Sequence, residues 1–198
     1  MLFRSEQMTV DEPMTVRVVL IGDSQVGKTS LVQRFVRSSF EKQQRSTIGA
    51  VFHTYERSYN GTDVVMQIWD TAGQEKYRSL GPIYYRNSVA GICVFDMTNK
   101  ETLSGLEKWI SEFRKQTNDP ILYIVGNKID IQDKITVTEE EAKAFSKSQN
   151  AKLIFSSAKT GENVQEIFES IFQDLGANGK FEVKKELAKN EDKGNSCC

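Results

Sequence analysis

A chain of 198 residues suits one domain with a full core plus short extensions, and leaves no room for a second substrate domain. Its 26 Lys and Arg against 27 Asp and Glu give a net charge of −1, which excludes the broad basic face that nucleic acid requires. Three cysteines, Cys93, Cys197 and Cys198, give no disulfide framework, so a reducing compartment is expected, and no stretch reaches the length of a membrane-spanning helix.

In chain order, residues 1–15 are polar, contain Pro13, and predict a loosely ordered extension rather than a signal peptide. Residues 16–21 are apolar and predict a strand; residues 28–37 predict a helix. Between them Gly22-Asp23-Ser24-Gln25-Val26-Gly27-Lys28-Thr29 has the spacing of a phosphate-binding loop. Its glycines let main-chain N–H groups close on phosphate oxygens, and the helix N-terminus adds its positive end. Lys28 suits the β- and γ-phosphates, and the Thr29 hydroxyl suits Mg²⁺, a hard cation.

Residues 38–49 show no period and read as a loop. Residues 51–59 and 64–69 predict two antiparallel strands joined at Asn60-Gly61. The second ends in Trp69-Asp70-Thr71-Ala72-Gly73-Gln74-Glu75, where Asp70 suits Mg²⁺, Gly73 offers an N–H to a terminal phosphate, and Gln74 suits orienting a water. A loop and short helix follow over 74–86, then a strand over 91–95 whose unbroken apolar run requires burial on both faces. There Cys93 reads as a small buried hydrophobe. Leu103, Leu106, Trp109, Ile110 and Phe113 give residues 101–116 a helical stripe that belongs to the core.

Pro120 leads into a strand over 121–125, followed by Asn127-Lys128-Ile129-Asp130. A carboxylate such as Asp130 accepts from both the ring N–H and the 2-amino group of guanine, a pair that adenine lacks. Thr138 and Glu141 form a capping box for a helix reaching about 149. Residues 152–155 predict the last strand, Ser156-Ser157-Ala158-Lys159 a loop whose Ala158 N–H suits the guanine carbonyl, and 163–175 the last helix. The alternation predicts an α/β fold of three layers: a mostly parallel six-stranded sheet with one antiparallel strand, and helices on both faces. Residues 16–176 form that domain, and 177–198 predict a disordered, charge-balanced tail ending in Cys197-Cys198. The only histidine, His53, reads as a strand residue rather than a catalytic base.

With these motifs in place, residues 16–175 resemble the Ras-like small GTPases and, within them, the Rab family. Tyr84-Tyr85-Arg86 and the double-cysteine ending look Rab-like rather than Ras- or Arf-like, and the run 80–88 with residues 125–130 looks most similar to the early-endosomal Rabs. The resemblance implies a P-loop NTPase that binds GTP or GDP through Ser24, Gln25, Val26, Gly27, Lys28, Thr29, Ser30, Phe40, Thr47, Gly73, Asn127, Lys128, Asp130, Ser157, Ala158 and Lys159. Thr29, Thr47 and Asp70 would hold Mg²⁺, Gln74 would align the water, and Ile48, Phe52, Trp69 and Tyr77 would face effectors. Implied partners are an exchange factor, an activating protein, a GDP-dissociation inhibitor and a prenylation escort. The implied anchor is geranylgeranyl on Cys197 and Cys198 of a monomer at the cytoplasmic face of endosomes.

The chain departs from the family at three points. Gln25 stands where a small residue is usual, and there a longer side chain crowds the terminal phosphate or the water. Ala50-Val51-Phe52 removes an acidic residue, and Ser46 replaces a frequent proline. Two other classes share the phosphate loop: a metabolic phosphotransferase, and a permanently GTP-bound scaffold in which Gln25 blocks hydrolysis.

Overall fold

The computed structural model describes residues 13–42 and 44–179, apart from the side chains at 75, 76 and 78. Most of the N-terminal extension, and the tail with Cys197 and Cys198, lie outside the described residues.

Six strands form one sheet: β1 (Met14–Ile21), β2 (Ala50–Tyr59), β3 (Thr62–Thr71), β4 (Ala90–Asp96), β5 (Ile121–Asn127) and β6 (Lys152–Phe155), in the order β2-β3-β1-β4-β5-β6. β2 runs antiparallel to β3 and the other pairings are parallel. Asn60 and Gly61, both at positive φ, make the tight turn of the β2–β3 hairpin as a two-residue connection demands. β1 begins at Met14 rather than residue 16. β3 is long enough to offer Val64 and Val65 as partners for Met14 and Thr15, so the strand gains two more ladder positions.

Helices cover both faces. On one, α1 (Lys28–Arg37) and α5 (Val164–Ala177) bring Leu31, Val32, Phe168 and Phe172 onto Val18, Leu20, Met66 and Ile68. On the other, α2 (Gly81–Tyr85), α3 (Lys100–Arg114) and α4 (Glu139–Ser148) bring Tyr85, Leu106, Trp109 and Phe113 onto Val19, Ile21, Cys93 and Phe95. β1 serves both cores because successive side chains point to opposite faces. Thr138 and Glu141 close the expected capping box at the head of α4, at 3.2 and 3.1 Å. Cys93 is fully buried, and burial pushes its thiol up to about 12, so it packs as an inert hydrophobe.

Gly91 in β4 lets α3 close on the sheet: a Cβ there would stand 2.7 Å from the Phe113 ring and 3.1 Å from Leu122. Gly91→Ala should therefore destabilise the fold by about 1–3 kcal/mol through overpacking, although alanine suits an extended chain better than glycine. Chemical denaturation at one fixed nucleotide concentration measures this; an unchanged or raised midpoint contradicts the packing argument.

The strand order reverses between β1 and β4, and ligands of such sheets bind beyond the carboxyl ends at that crevice. The ends of β1, β3, β5 and β6 carry all four motifs read from the sequence.

Candidate functional site

The loop from β1 to α1 turns back on itself at Gly27. Its φ is 99°, and a Cβ there would fall 2.2 Å from Nδ2 of Asn127. Behind the loop Lys28 is 6 % exposed, and its Nζ donates to the carbonyls of Gly22 and Asp23, each at 2.8 Å. Burial lowers the ammonium to about 8, against the pull of Asp70 and Asp23. A phosphate group would supply the charge this cation lacks. Gly73 comes up against the same ammonium, since a Cβ on it would lie 2.5 Å from Nζ. Asp23 turns its carboxylate out of the cleft, where Oδ1 accepts from Trp109 Nε1 of α3 at 2.7 Å.

Beside Lys28 three oxygen-bearing side chains converge from separate elements. The Thr29 hydroxyl, in the first turn of α1, donates to Asp70 Oδ2 at 2.6 Å and lies 2.9 Å from the Thr47 hydroxyl. Thr47, from the loop after α1, is also 3.5 Å from Asp70 Oδ2. Asp70 at the end of β3 is 1 % exposed, and its Oδ1 is buried without a hydrogen-bond partner. Burial pushes its carboxyl up, while the Thr29 hydrogen bond and Lys28 oppose it. An orphaned carboxylate oxygen beside two hydroxyls fits a small hard cation. Among the described residues no three acidic, His or Cys side chains gather around a metal, so phosphate oxygens and water would complete such a shell.

The other end of the cleft is built by the loops after β5 and β6. Asn127, 1 % exposed, is a staple: Nδ2 donates to Val26 O at 2.8 Å, and Oδ1 accepts from Ala158 N at 3.1 Å. A base carbonyl would therefore share the Ala158 N–H with Asn127. Lys128, at φ 71°, pairs its Nζ with Asp96 Oδ2 at 2.5 Å. Asp130 Oδ1 accepts from Ser157 Oγ at 2.7 Å. Oδ2 has Lys159 Nζ 3.2 Å away, in ion-pair range but without the angles of a hydrogen bond, so its acceptor capacity is open. Burial tends to raise the Asp130 carboxyl, but the Ser157 hydroxyl and Lys159 outweigh it and hold the group below its ordinary value.

These walls enclose a cleft of about 480 Å³. Ser24, Gln25, Gly27, Lys28, Thr29, Ser30, Phe40, Thr47, Gly73, Gln74, Asn127, Lys128, Asp130, Ala158 and Lys159 line it. Val26 and Ser157 stand behind the wall, the first by its carbonyl on Asn127 and the second by its hydroxyl on Asp130. The lip also carries Glu41, Lys42, Gln44 and Arg45, which no period or motif singled out. Gln44 and Gln33 of α1 pair their side-chain amides in both directions, fastening the lip to the helix.

Outside the cleft, the adjoining face is apolar. Ile48 is 76 % exposed and Phe52 56 %. Phe52 stacks on Trp69 at 5.5 Å, and Tyr84 tilts against Trp69 at 6.0 Å. Arg17 of β1 lies 4.6 Å over the Trp69 ring. Tyr77 stands half-buried on the 3-10 turn just before α2. Tyr84 and Arg17 were not read as part of this face, because a ring's neighbours across a sheet have no signature along the chain.

Residues 17–177 match the family model described as the Ras family. The chain is 44 % identical over 163 residues to "Ras-related protein Rab5" of Nicotiana tabacum, covering 82 % of each chain. It is 42 % identical over 166 residues to "Ras-related protein RABF2b" of Arabidopsis thaliana, covering 83 % of each. It is also 39 % identical over 191 residues to "Ras-related protein RHN1" of Nicotiana plumbaginifolia, covering 93 % of this chain and 96 % of the relative.

Proposed function

This chain belongs to the Ras family of small GTPases, alongside its Rab members, and we propose that it is a GTP-driven switch of endosomal membrane traffic. The observation that carries this reading is the meeting of Thr29, Thr47 and Asp70 beside buried Lys28, at the foot of a cleft whose far end presents Asp130.

In this reading residues 24–30 seat the phosphates, with Lys28 as the fixed positive charge. Phe40, Asp130 and the Ala158–Lys159 backbone hold the guanine, and Asn127, Lys128 and Ser157 brace them. Thr29, Thr47 and Asp70 would hold Mg²⁺, which would neutralise charge on the phosphate oxygens. Thr47 and Gly73 sense the terminal phosphate from two separate segments. Their contacts order the apolar face of Ile48, Phe52, Trp69 and Tyr77 for effectors, and hydrolysis releases it. Gln74 orients the attacking water. Hydrolysis of this kind rests on positioning and charge, so the lone protein is slow and an activating protein gains ~10³ to 10⁵ in rate.

Exchange factor, GDP-dissociation inhibitor and prenylation escort complete the cycle of a monomer whose Cys197 and Cys198 carry the lipid. Two chains anchor stably where one does not. No described helix is long and apolar enough to cross a membrane.

Thr29→Asn tests the cation site. In the parent, chelating Mg²⁺ should speed GDP release. In the variant, release should already be fast, by at least the ~10- to 100-fold that loss of a supporting partner costs a metal site. It should also respond little to chelation. A variant with the parent's full Mg²⁺ dependence would remove Thr29 from the cation's shell.

A further inference from the structure

Arg34 on α1 forms no part of the cleft wall, yet each of its three guanidinium nitrogens donates to a main-chain carbonyl. Nε donates to Ala158 O at 2.9 Å and Nη2 to Lys159 O at 2.6 Å. Nη1 donates to Ser38 O at 3.1 Å. Ser38 is the residue at which the chain leaves α1, at φ 52°, with its own N–H on Arg34 O at 3.0 Å. The third bond thus fixes the guanidinium plane on its own helix, and the other two grip consecutive carbonyls of the loop after β6. That loop is also tied by the Ala158 N–H on Asn127, by the Ser157 hydroxyl on Asp130 and from Thr160 N, and by main-chain bonds of Ser157 with Glu162 and Gly161.

A planar fork with several donors in fixed directions suits this task. A lysine ammonium reaches the same place as a single point and cannot hold both carbonyls and Ser38 in one plane. The two gripped peptide units, 158–159 and 159–160, follow directly on the one whose Ala158 N–H faces the carbonyl edge of the base. Asp130, which meets the ring N–H and amino edge, sits on the neighbouring loop and takes no bond from Arg34.

We propose that Arg34 is a positioning residue for base selection, setting the Ala158–Lys159 backbone against the carbonyl edge of the guanine. The proposal rests on the reading that Asp130 and this backbone read the two edges separately. It makes the carbonyl edge directly sensitive to Arg34, while the Asp130 edge feels it only through Ser157 and Lys159.

Three diphosphates separate the edges: GDP, inosine diphosphate, which keeps the carbonyl but lacks the 2-amino group, and 6-thioguanosine diphosphate, which keeps the ring N–H and the amino group but replaces the carbonyl oxygen by sulfur, a poorer acceptor. Dissociation constants are measured on the full chain for the parent, Arg34→Met and Arg34→Lys. In Arg34→Met the preference for GDP over the 6-thioguanine nucleotide should shrink by about tenfold, as for loss of one well-placed hydrogen bond, with the GDP-to-inosine ratio moving less. Arg34→Lys should fall between, and it serves as the readout should the methionine variant fail to fold. A purely structural Arg34 would weaken all three nucleotides in proportion and leave both ratios where they were, and that result overturns the proposal. Asp130→Asn runs alongside and should move the GDP-to-inosine ratio. If it does not, the two-edge reading itself is wrong and the role of Arg34 goes with it.

Discussion

Gln74→Leu should leave the protein loaded with GTP, with single-turnover phosphate release slowed by about 10²-fold, the scale at which a positioned proton-handling group acts. Gln74 lines the cleft beside Gly73, whose backbone is pressed against the Asp23 carbonyl and the Lys28 ammonium. The residue next in the chain is therefore held close to the loop that seats the phosphates. A glutamine amide accepts one water hydrogen and donates toward a phosphate oxygen, and leucine does neither while filling a similar volume. Nucleotide affinity should stay within about threefold, because the walls that bind the base and the inner phosphates are untouched. The acceleration by an activating protein should be lost as well. Unchanged release in the variant would take the water-orienting role from Gln74. A parent that is already inert, with release restored by Gln25→Gly, would instead make Gln25 the block, since that side chain is exposed at the cleft on a left-handed backbone of φ 66°.

The elements legible in the sequence are those whose cause is local. The strand, loop and helix around residues 22–29 follow from an apolar run, two glycines at set spacing and an amphipathic stretch, and the structure has β1, α1 and the buried Lys28 in those places. The capping box of α4 and the Asn60-Gly61 turn are local in the same way. Relations between distant segments are what the sequence conceals. Asn127 reads as a base-contacting residue, and nothing along the chain shows that its amide also holds Val26 and Ala158. Asp23 lies inside the phosphate motif but turns to Trp109, 86 residues away. Glu41, Lys42, Gln44, Arg45 and Ser46 line the cleft where Thr47 is drawn to Thr29 and Gln44 to Gln33. A loop with no period gives no sign of where its ends will be tied.

The second large effect belongs to Asp130. Asp130→Asn should cost GDP about 10²- to 10⁴-fold in affinity and turn the preference toward xanthine nucleotides. Two hydrogen bonds to a charged acceptor contribute about 1.5–3 kcal/mol each, and each 1.4 kcal/mol is a factor of ten. The carboxylate is prepared for that contact: the Ser157 hydroxyl and Lys159 hold it ionised, and Oδ2 is a buried acceptor with no hydrogen bond of its own. An asparagine keeps the Ser157 bond through its carbonyl oxygen but replaces the second acceptor by an N–H₂ donor. Against guanine, two amino groups would then face each other. Against xanthine, which has a carbonyl at that position, the new donor finds an acceptor. Because the asparagine is isosteric and Ser157 still supports it, the fold should lose little, and thermal unfolding of the parent and variant loaded with their preferred nucleotides should agree closely. Displacement of a fluorescent guanine nucleotide by GDP and by xanthosine diphosphate measures the switch. Equal losses for both nucleotides would mean that Asp130 supports the loop without reading the base.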